Sequence, residues 1–475
     1  MSAAMTRTKT PQAVVASERG QPCPRVENEA AVRADKAVRA PDVREAWMET
    51  VIGRLPPTWQ VKPIREVYSF TKKPRGLSIP SDGLVPFLPM EVIPIGRVRV
   101  SAFEERIGSA LTSGTYIENG DLLVAKITPS FENGKQAIVD WKKPFGFATT
   151  EVIPIQEIEG VSDKFFLFHL LLHPEIRSDL AGKMDGTTGR QRLSKEVFGS
   201  RLIPLPPLAE QRKIAGVLGM VQRAMEQQER LLSLTAELKK ALLHQLFTAG
   251  LRREPQKQTE IGPVPQSWEV VTLGSLAKVG NGSTPKRDNE GYWQGGTIPW
   301  LNSAKIHERF ITEADQFVTD LAITECHLPR VKPGSLLIAI TGQGKTLGNS
   351  ALVSFETCIN QHLAYAQFTS SGVVPEFVLW FMQTRYEHLR SISQAGGSTK
   401  GALTCGYLKT YPIPVPSLDE QRDIAAVFAA LDQKEKIHKR KHATLTALFR
   451  TLLHQLMTAQ LRVNDLEIDL NELSK

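Results

Sequence analysis

The sequence predicts an α+β chain. Two α/β domains are joined by two long repeated helices that form an antiparallel coiled coil, and the whole is a pseudo-twofold internal repeat. Three observations predict this. A 50-residue stretch occurs twice at a constant offset of 210, Ile203 to Arg252 and Ile413 to Arg462, and 21 of its 50 positions are identical. Each copy carries a helical heptad pattern that no proline interrupts. The segment before each copy breaks into short apolar runs punctuated by Gly and Pro, the pattern of strands. A gapless match of that length is a repeat, and a repeat decides the architecture before any single element does.

The two copies begin and end alike. The first opens Ile203-Pro-Leu-Pro-Pro-Leu-Ala-Glu-Gln-Arg212 and closes Leu242-Leu-His-Gln-Leu246. The second opens Ile413-Pro-Val-Pro-Ser-Leu-Asp-Glu-Gln-Arg422 and closes Leu452-Leu-His-Gln-Leu456. Proline cannot sit inside a helix, so the opening prolines mark where each begins. Ser417 with Glu420 forms a capping box in the second copy; Pro207 occupies that place in the first, which predicts a weaker start. Ile214, Val217, Val221, Ala224, Leu231, Leu238 and Leu242 form one seam, and Ile424, Val427, Leu431, Leu445, Leu448 and Leu452 the other. Gln228, Thr235 and His438 lie on the same seam, where polar residues fix register. About 40 residues at roughly 1.5 Å each make rods of about 60 Å.

Taken in order, residues 1–52 read as a mobile tail with a short lead-in helix from Pro41 to Ile52. Residues 53–202 form the first domain, with strand-like runs Val92–Ile95, Leu122–Ala125, Ala137–Val139 and Val152–Ile155 and a buried helix from Phe165 to Leu172. Residues 203–260 hold the first rod and a polar linker, Arg252 to Thr259. Residues 261–412 form the second domain, and 413–475 the second rod with a C-terminal tail. The second domain echoes the first. Pro-x-x-Trp recurs with Trp268 matching Trp59, and Ser335–Ala339 matches Asp121–Ala125. The rods agree more closely than the domains do, which suggests two readers of different targets held on one frame.

Several classes of chemistry are missing. The four cysteines, at 23, 326, 358 and 405, form no C-x-x-C pair, so neither zinc nor a disulfide framework is indicated and a reducing cytoplasm fits. No apolar run reaches membrane-spanning length. His244 and His454 repeat without acid or cysteine partners at ligand spacing, which favours packing over metal binding. Ala339 to Thr346, with Gly344-Lys345-Thr346, fits a relaxed phosphate-loop pattern. A phosphate loop needs a helix after it, and strand-like Ala351 to Phe355 follows instead. Two rivals stay open here: an NTPase built on Lys345, and a coiled-coil scaffold that binds protein.

What recurs is a set of basic and amide-bearing loops. They supply Lys126, Lys135, Arg190, Gln191 and Arg192 in the first domain, and Lys286, Arg287, Gln343, Lys345 and Lys400 in the second. Arg and Lys suit guanine edges, Gln suits adenine, and all suit phosphate. The excess of 58 Lys and Arg over 50 Asp and Glu, net +8, is compatible with a polyanionic partner.

Through the doubled I-P-x-P-x-L-x-E-Q-R lead-in, the doubled L-L-H-Q-L close, Gly282-Ser-Thr-Pro285 with Ile298-Pro-Trp300, and Ile127 to Lys135, the chain resembles the specificity subunits of type I restriction-modification enzymes. The resemblance covers about residues 53 to 460. It implies two target-recognition domains that each read half of a split site in double-stranded DNA, without catalysis by this chain. It also implies that the helices dock two methyltransferase subunits, with motor-nuclease subunits joining for cleavage. The repeat residues expected at such docking are Glu210, Gln211, Arg212, His244, Gln245, Glu420, Gln421, Arg422, His454 and Gln455. S-adenosylmethionine, ATP and Mg would then sit on the partner subunits.

Overall fold

The computed structural model describes residues 48–50, 53–79, 81–111, 113–187, 189–342, 345–395 and 403–466. The two repeated stretches become the longest elements, helices Leu208–Ala249 and Leu418–Met457. Their starts differ as the sequence predicts. Ser417 accepts a hydrogen bond from the Glu420 N–H, whereas Pro207 offers no side-chain cap. Only half of the capping box forms, because the Glu420 carboxylate is used elsewhere. The helices lie against each other and run antiparallel. Gln228 meets His438 (2.8 Å) and Glu229 meets His442 (3.1 Å), while Lys239 pairs with Asp432 and Glu210 with Arg462. The polar seam residues Gln228 and His438 therefore satisfy each other across the pair.

Prolines 204 and 414 lie in short strands, not loops. Leu202–Leu205 pairs with Gln60–Pro63, and Pro412–Val415 pairs with Glu269–Thr272. A two-stranded ribbon has only edges, and edges tolerate proline. Each domain is thus closed by a strand that leads directly into its long helix.

Both domains are built on one five-stranded sheet with the same order. In the first it runs Tyr68–Phe70, Val152–Glu157, Leu122–Ala125, Gln136–Val139, Arg99–Val100. In the second it runs Ala277–Asn281, Leu363–Phe368, Leu336–Ala339, Ser350–Val353, Phe310–Ile311. All pairings are antiparallel except the last in each sheet. The central strands, Leu-Leu-Val-Ala and Leu-Leu-Ile-Ala, are buried throughout, as unbroken apolar runs require. The second sheets diverge: four strands in the first domain, three in the second.

The expected buried helix is Lys164–Leu170, and Pro375–Thr384 is its counterpart in the second domain. They press each sheet onto the long helices. The first domain's core includes Ile214 and Leu218 from the start of the first long helix and Leu453, Leu456 and Met457 from the end of the second. The second core takes Leu246 and Phe247 from the end of the first and Ile424, Phe428 and Leu431 from the start of the second. Each domain therefore grips both helices, at opposite ends of the pair.

Three expectations are corrected. Val92–Ile95 is apolar but forms turns with no strand, since Pro94 and Gly96 bracket Ile95, which only bridges to Lys135. Met48–Thr50 is a strand paired with Gly53–Leu55, where a helix was expected; the rest of that expected helix lies outside the described residues. The linker also holds a strand, Gln256–Thr259, paired with Gly262–Pro265. No described helix is long and apolar enough to cross a membrane.

Candidate nucleic-acid interface

The repeated Glu-Gln pair is where each domain meets the helices. Trp59 Nε1 donates to Glu210 (3.0 Å), and Trp268 Nε1 donates to Glu420 (3.3 Å). The Gln211 amide donates to the Val161 and Pro206 carbonyls and accepts from the Asp163 N–H at 2.9 Å. Gln421 does the same with the Gly372 and Pro416 carbonyls and the Val374 N–H at 2.7 Å. Each carboxylate also takes the far end of the other long helix: Arg462 reaches Glu210, and the Leu251 N–H reaches Glu420. Glu210, Gln211, Glu420 and Gln421 are buried. Their expected place on a docking surface is therefore corrected: they lock domain to helix within the chain. Arg212 and Arg422 are exposed, and Arg422 pairs with Asp419. His244 is exposed. Gln245 faces Arg253, Gln455 is half-buried, and His454 stacks on His173 with nitrogens 3.2 Å apart.

The expected basic loops share one end of each sheet. In the first domain the Lys126 N–H bonds the Glu151 carbonyl, the Leu193 N–H bonds the Lys126 carbonyl, and Thr128 bonds the Gln191 carbonyl. This draws loops 126–135, 149–151 and 185–195 together. Not every basic group there is available. Arg192 is exposed but gives Nε and Nη2 to Glu151 at 2.9–3.1 Å, and Lys135 donates to the Met90 carbonyl at 2.7 Å. Arg190 is exposed with a backbone bond to Thr187. The sequence reading missed Lys72, Lys73 and Lys195. Burial, and then the like charges of Lys72 and Lys126, hold the Lys195 ammonium below its usual range. Lys195 also lies over the Phe70 ring at 4.5 Å. Lys72, Lys126 and Lys195 thus converge, with Glu196 as the opposing carboxylate, its pull second to the push of Lys72 and ahead of that of Lys126. The run Lys72-Lys73-Pro-Arg75 was the signal that could have marked this site.

The second domain presents the same loops with different chemistry. The Ile340 N–H bonds the His362 carbonyl, the Leu403 N–H bonds the Ile340 carbonyl, and the Ser283 N–H bonds the Ile359 carbonyl. Gly282 permits that last approach, since a side chain there would run into the Ile359 carbonyl. Exposed side chains form a relay: Thr284 donates to Gln361, the Gln361 amide lies 3.2 Å from His362, and His362 lies 2.5 Å from the Thr341 hydroxyl. Thr346 meets His307 at 3.3 Å. Lys286, Arg287 and Lys345 are exposed on these loops. Gln343 and Lys400 lie outside the described residues. His362 stands at the place of Glu151, since each gives its carbonyl to the residue that follows the central strand, so one position holds an imidazole in one domain and an ion-paired acid in the other.

The phosphate-loop pattern is a hairpin. Leu336–Ala339 turns back into Ser350–Val353, with Leu336 opposite Leu352, and no helix follows that could hold a phosphate. Among the described residues no group of three His, Cys, Asp or Glu could hold a metal ion.

The family model described as the type I restriction modification DNA specificity domain matches residues 56–235 and 265–447, once on each half of the repeat. The MjaX type I restriction enzyme specificity subunit of Methanocaldococcus jannaschii is 23% identical over 428 residues, covering 88% of this chain and 97% of that protein. The MjaVIII specificity subunit of the same organism is 23% identical over 339 residues, 68% of this chain and 76% of that one. Among solved structures, the type I restriction-modification S subunit from M. genitalium shares the fold, with a TM-score of 0.54 and 18% identity over 84% of this chain and 96% of that one. A doubled domain on a doubled helix, matched twice by one family model over most of its length, leaves one conclusion: the chain belongs to the specificity subunits of type I restriction-modification systems.

Proposed function

We propose that this chain reads a bipartite double-stranded DNA target, one half-site per domain, and performs no catalysis itself. The observation that carries the reading is the recurrence of one loop face in both domains, at equivalent sheet ends, with each domain locked to both helices by the same Glu-Gln contacts. The repeat is then a pseudo-twofold and the helix pair a coiled-coil ruler. On the first long helix the first core ends at Leu218 and the second begins at Leu246. That span is about 40 Å at 1.5 Å per residue, close to one turn of B-DNA. Half-sites on successive major grooves suit it.

The partners follow from the same reading. Leu234, Leu238, Ile437 and Leu448 are exposed on the helices, an apolar surface suited to two methyltransferase subunits. Those subunits would hold S-adenosylmethionine, and motor-nuclease subunits would hold ATP and Mg.

The test is selection of randomised duplexes by the chain assembled with methyltransferase subunits. The expected product is two short sequences at a fixed gap. Exchanging residues 53–202 for the matching domain of a relative should change one half only. Removing seven residues from each long helix should shorten the gap by roughly 10 Å of DNA while register is kept. Alanine at Lys72, Lys126 and Lys195 together should lower the salt slope by about one for each phosphate that these lysines neutralise. A single contiguous target, or no selection, would overturn the function.

A further inference from the structure

Arg287 is prepared for a ligand in a way no neighbouring cation is. Its guanidinium lies over two indoles, 3.9 Å from the Trp293 ring centre and 5.0 Å from that of Trp300. The two rings meet edge to face with centroids 5.1 Å apart. Their N–H groups fasten the loop that carries the arginine: Trp293 donates to the Lys286 carbonyl at 3.0 Å, and Trp300 to the Ser283 carbonyl at 3.2 Å. One guanidinium nitrogen donates to the Gln316 amide oxygen at 2.7 Å. Backbone, ring and amide together fix the plane of an exposed side chain.

Other stacked arginines differ. Arg99, Arg106 and Arg309 also lie over rings, but each gives its charge to a carboxylate, Asp140, Glu104 and Asp432, while Arg177 and Arg385 turn theirs inward onto the Leu171, Phe131 and Ile261 carbonyls. Arg287 forms no ion pair among the described residues. An immobilised fork without an anion is ready for a planar acceptor pair. Fixing it in advance lowers the ordering cost of binding. The loop also belongs to the proposed DNA face, since Thr284 bonds Gln361 and the Ser283 N–H bonds the Ile359 carbonyl.

We propose that Arg287 determines specificity in the second half-site by pairing with the O6 and N7 edge of one guanine in the major groove. This rests on the DNA-reading function proposed above. The acceptor pair of guanine matches the fork, whereas phosphate would be met as well by a lysine.

The experiment measures binding of the assembled complex to its selected target and to every single-base variant, for wild type, R287A and R287K. Lysine keeps a cation on the indoles, so R287K remains informative if R287A loosens the loop. Both variants are expected to lose about 10- to 100-fold discrimination at one guanine of the second half-site. The first half-site, the melting temperature of R287K and its salt slope are expected to be unchanged. R287K behaving as wild type at every base would overturn guanine reading in favour of a phosphate or purely structural cation. Equal losses in both half-sites with a lowered melting temperature would overturn it as a folding effect. Failure of the wild-type complex to select any sequence would instead sink the function on which the inference rests. Selective wild-type binding with an intact R287K profile sinks the inference alone.

Discussion

Gln222 and Asp432 occupy the same place in the two halves, 210 residues apart, and each ties a long helix to a domain. In the first half the tie is neutral. Gln222 donates to the Gly96 carbonyl at 2.7 Å, and its amide oxygen lies 3.1 Å from His169 on the buried helix. In the second half the tie is ionic. Asp432 accepts from Arg309 at 2.7–2.9 Å and from Lys239 of the other long helix, and both cations lie over Trp380 on the equivalent buried helix. Gly96 and Arg309 each stand just before the parallel edge strand of their sheet. The geometry of the junction is therefore shared while its chemistry is not. A buried polar junction needs its groups paired; the amide chain pairs Gln222 on both sides, and the ion cluster pairs Asp432 with two cations while leaving Arg309 Nε without a partner. Domain orientation can be kept while the domains diverge.

The two ties should fail differently. Asp432→Ala leaves Lys239 and Arg309 facing each other with only Glu435, 4.0 Å from Lys239, to offset them, and stranding buried charge costs about 3–5 kcal/mol. Gln222→Ala strands only neutral groups, at about 1–3 kcal/mol. Urea unfolding of the full chain, with amide exchange over 375–384 and 164–170 to locate the effect, makes the comparison. An Asp432→Ala variant no less stable than Gln222→Ala would break the contrast.

Acid should separate the halves next. Burial pushes His169 down from 6.5 to about 4 in the fold. Between those values the unfolded chain binds the extra proton and the fold does not. The contribution of the neutral ring is thus fully present above pH 6.5 and is lost as pH falls toward 4, about 3 kcal/mol in all. Asp121 opposes this within the same domain. Burial raises it from 3.8 to about 6, so its share of stability falls as pH rises through that window. His169→Asn isolates the histidine. Its stability deficit relative to wild type should shrink between pH 7 and about pH 5, with exchange changing over 164–170 and not over 375–384. A deficit independent of pH would mean the ring is not held neutral.

The contrast also shows what sequence reasoning reaches. Repeat and periodicity made the long helices, the Leu122–Ala125 and Leu336–Ala339 strands and the Gln228–His438 seam contact legible, but Leu238 and Leu448, expected on the seam, are exposed. Periodicity does not name partners. Glu210 and Gln211 look like surface residues at a helix start, yet their partners are a tryptophan, loop backbone and an arginine 252 residues away. The loop face had the same limit. Recurrence identified the loops, but Arg192 and Lys135 are occupied by groups 41 and 45 residues distant, and only the fold shows that. Val92–Ile95 failed for a local reason, since apolar residues beside proline and glycine were counted as a strand.

The smallest difference lies at the helix starts. Ser417 caps the second long helix through the Glu420 N–H, and such a cap is typically worth about 1 kcal/mol. The first helix has Pro207 there, at φ −51° and ψ 142°, close to the −57° and 149° of Ser417. Proline at a compatible backbone position stabilises by about 0.4–1 kcal/mol, through the freedom it removes from the unfolded chain. The two halves thus reach similar stability at this point by opposite means, one by a bond in the fold and one by a stiffer unfolded chain. Ser417→Ala removes the bond and supplies nothing, so it should cost about 1 kcal/mol. Ser417→Pro removes the same bond but gains the stiffness, and copies a Pro-Pro sequence that the first half already accommodates at Pro206 and Pro207. Its net cost should be under about 0.6 kcal/mol. The measurement is the urea midpoint of both variants against wild type. A Ser417→Pro variant less stable than Ser417→Ala would show that the first helix start is a weaker one left uncompensated.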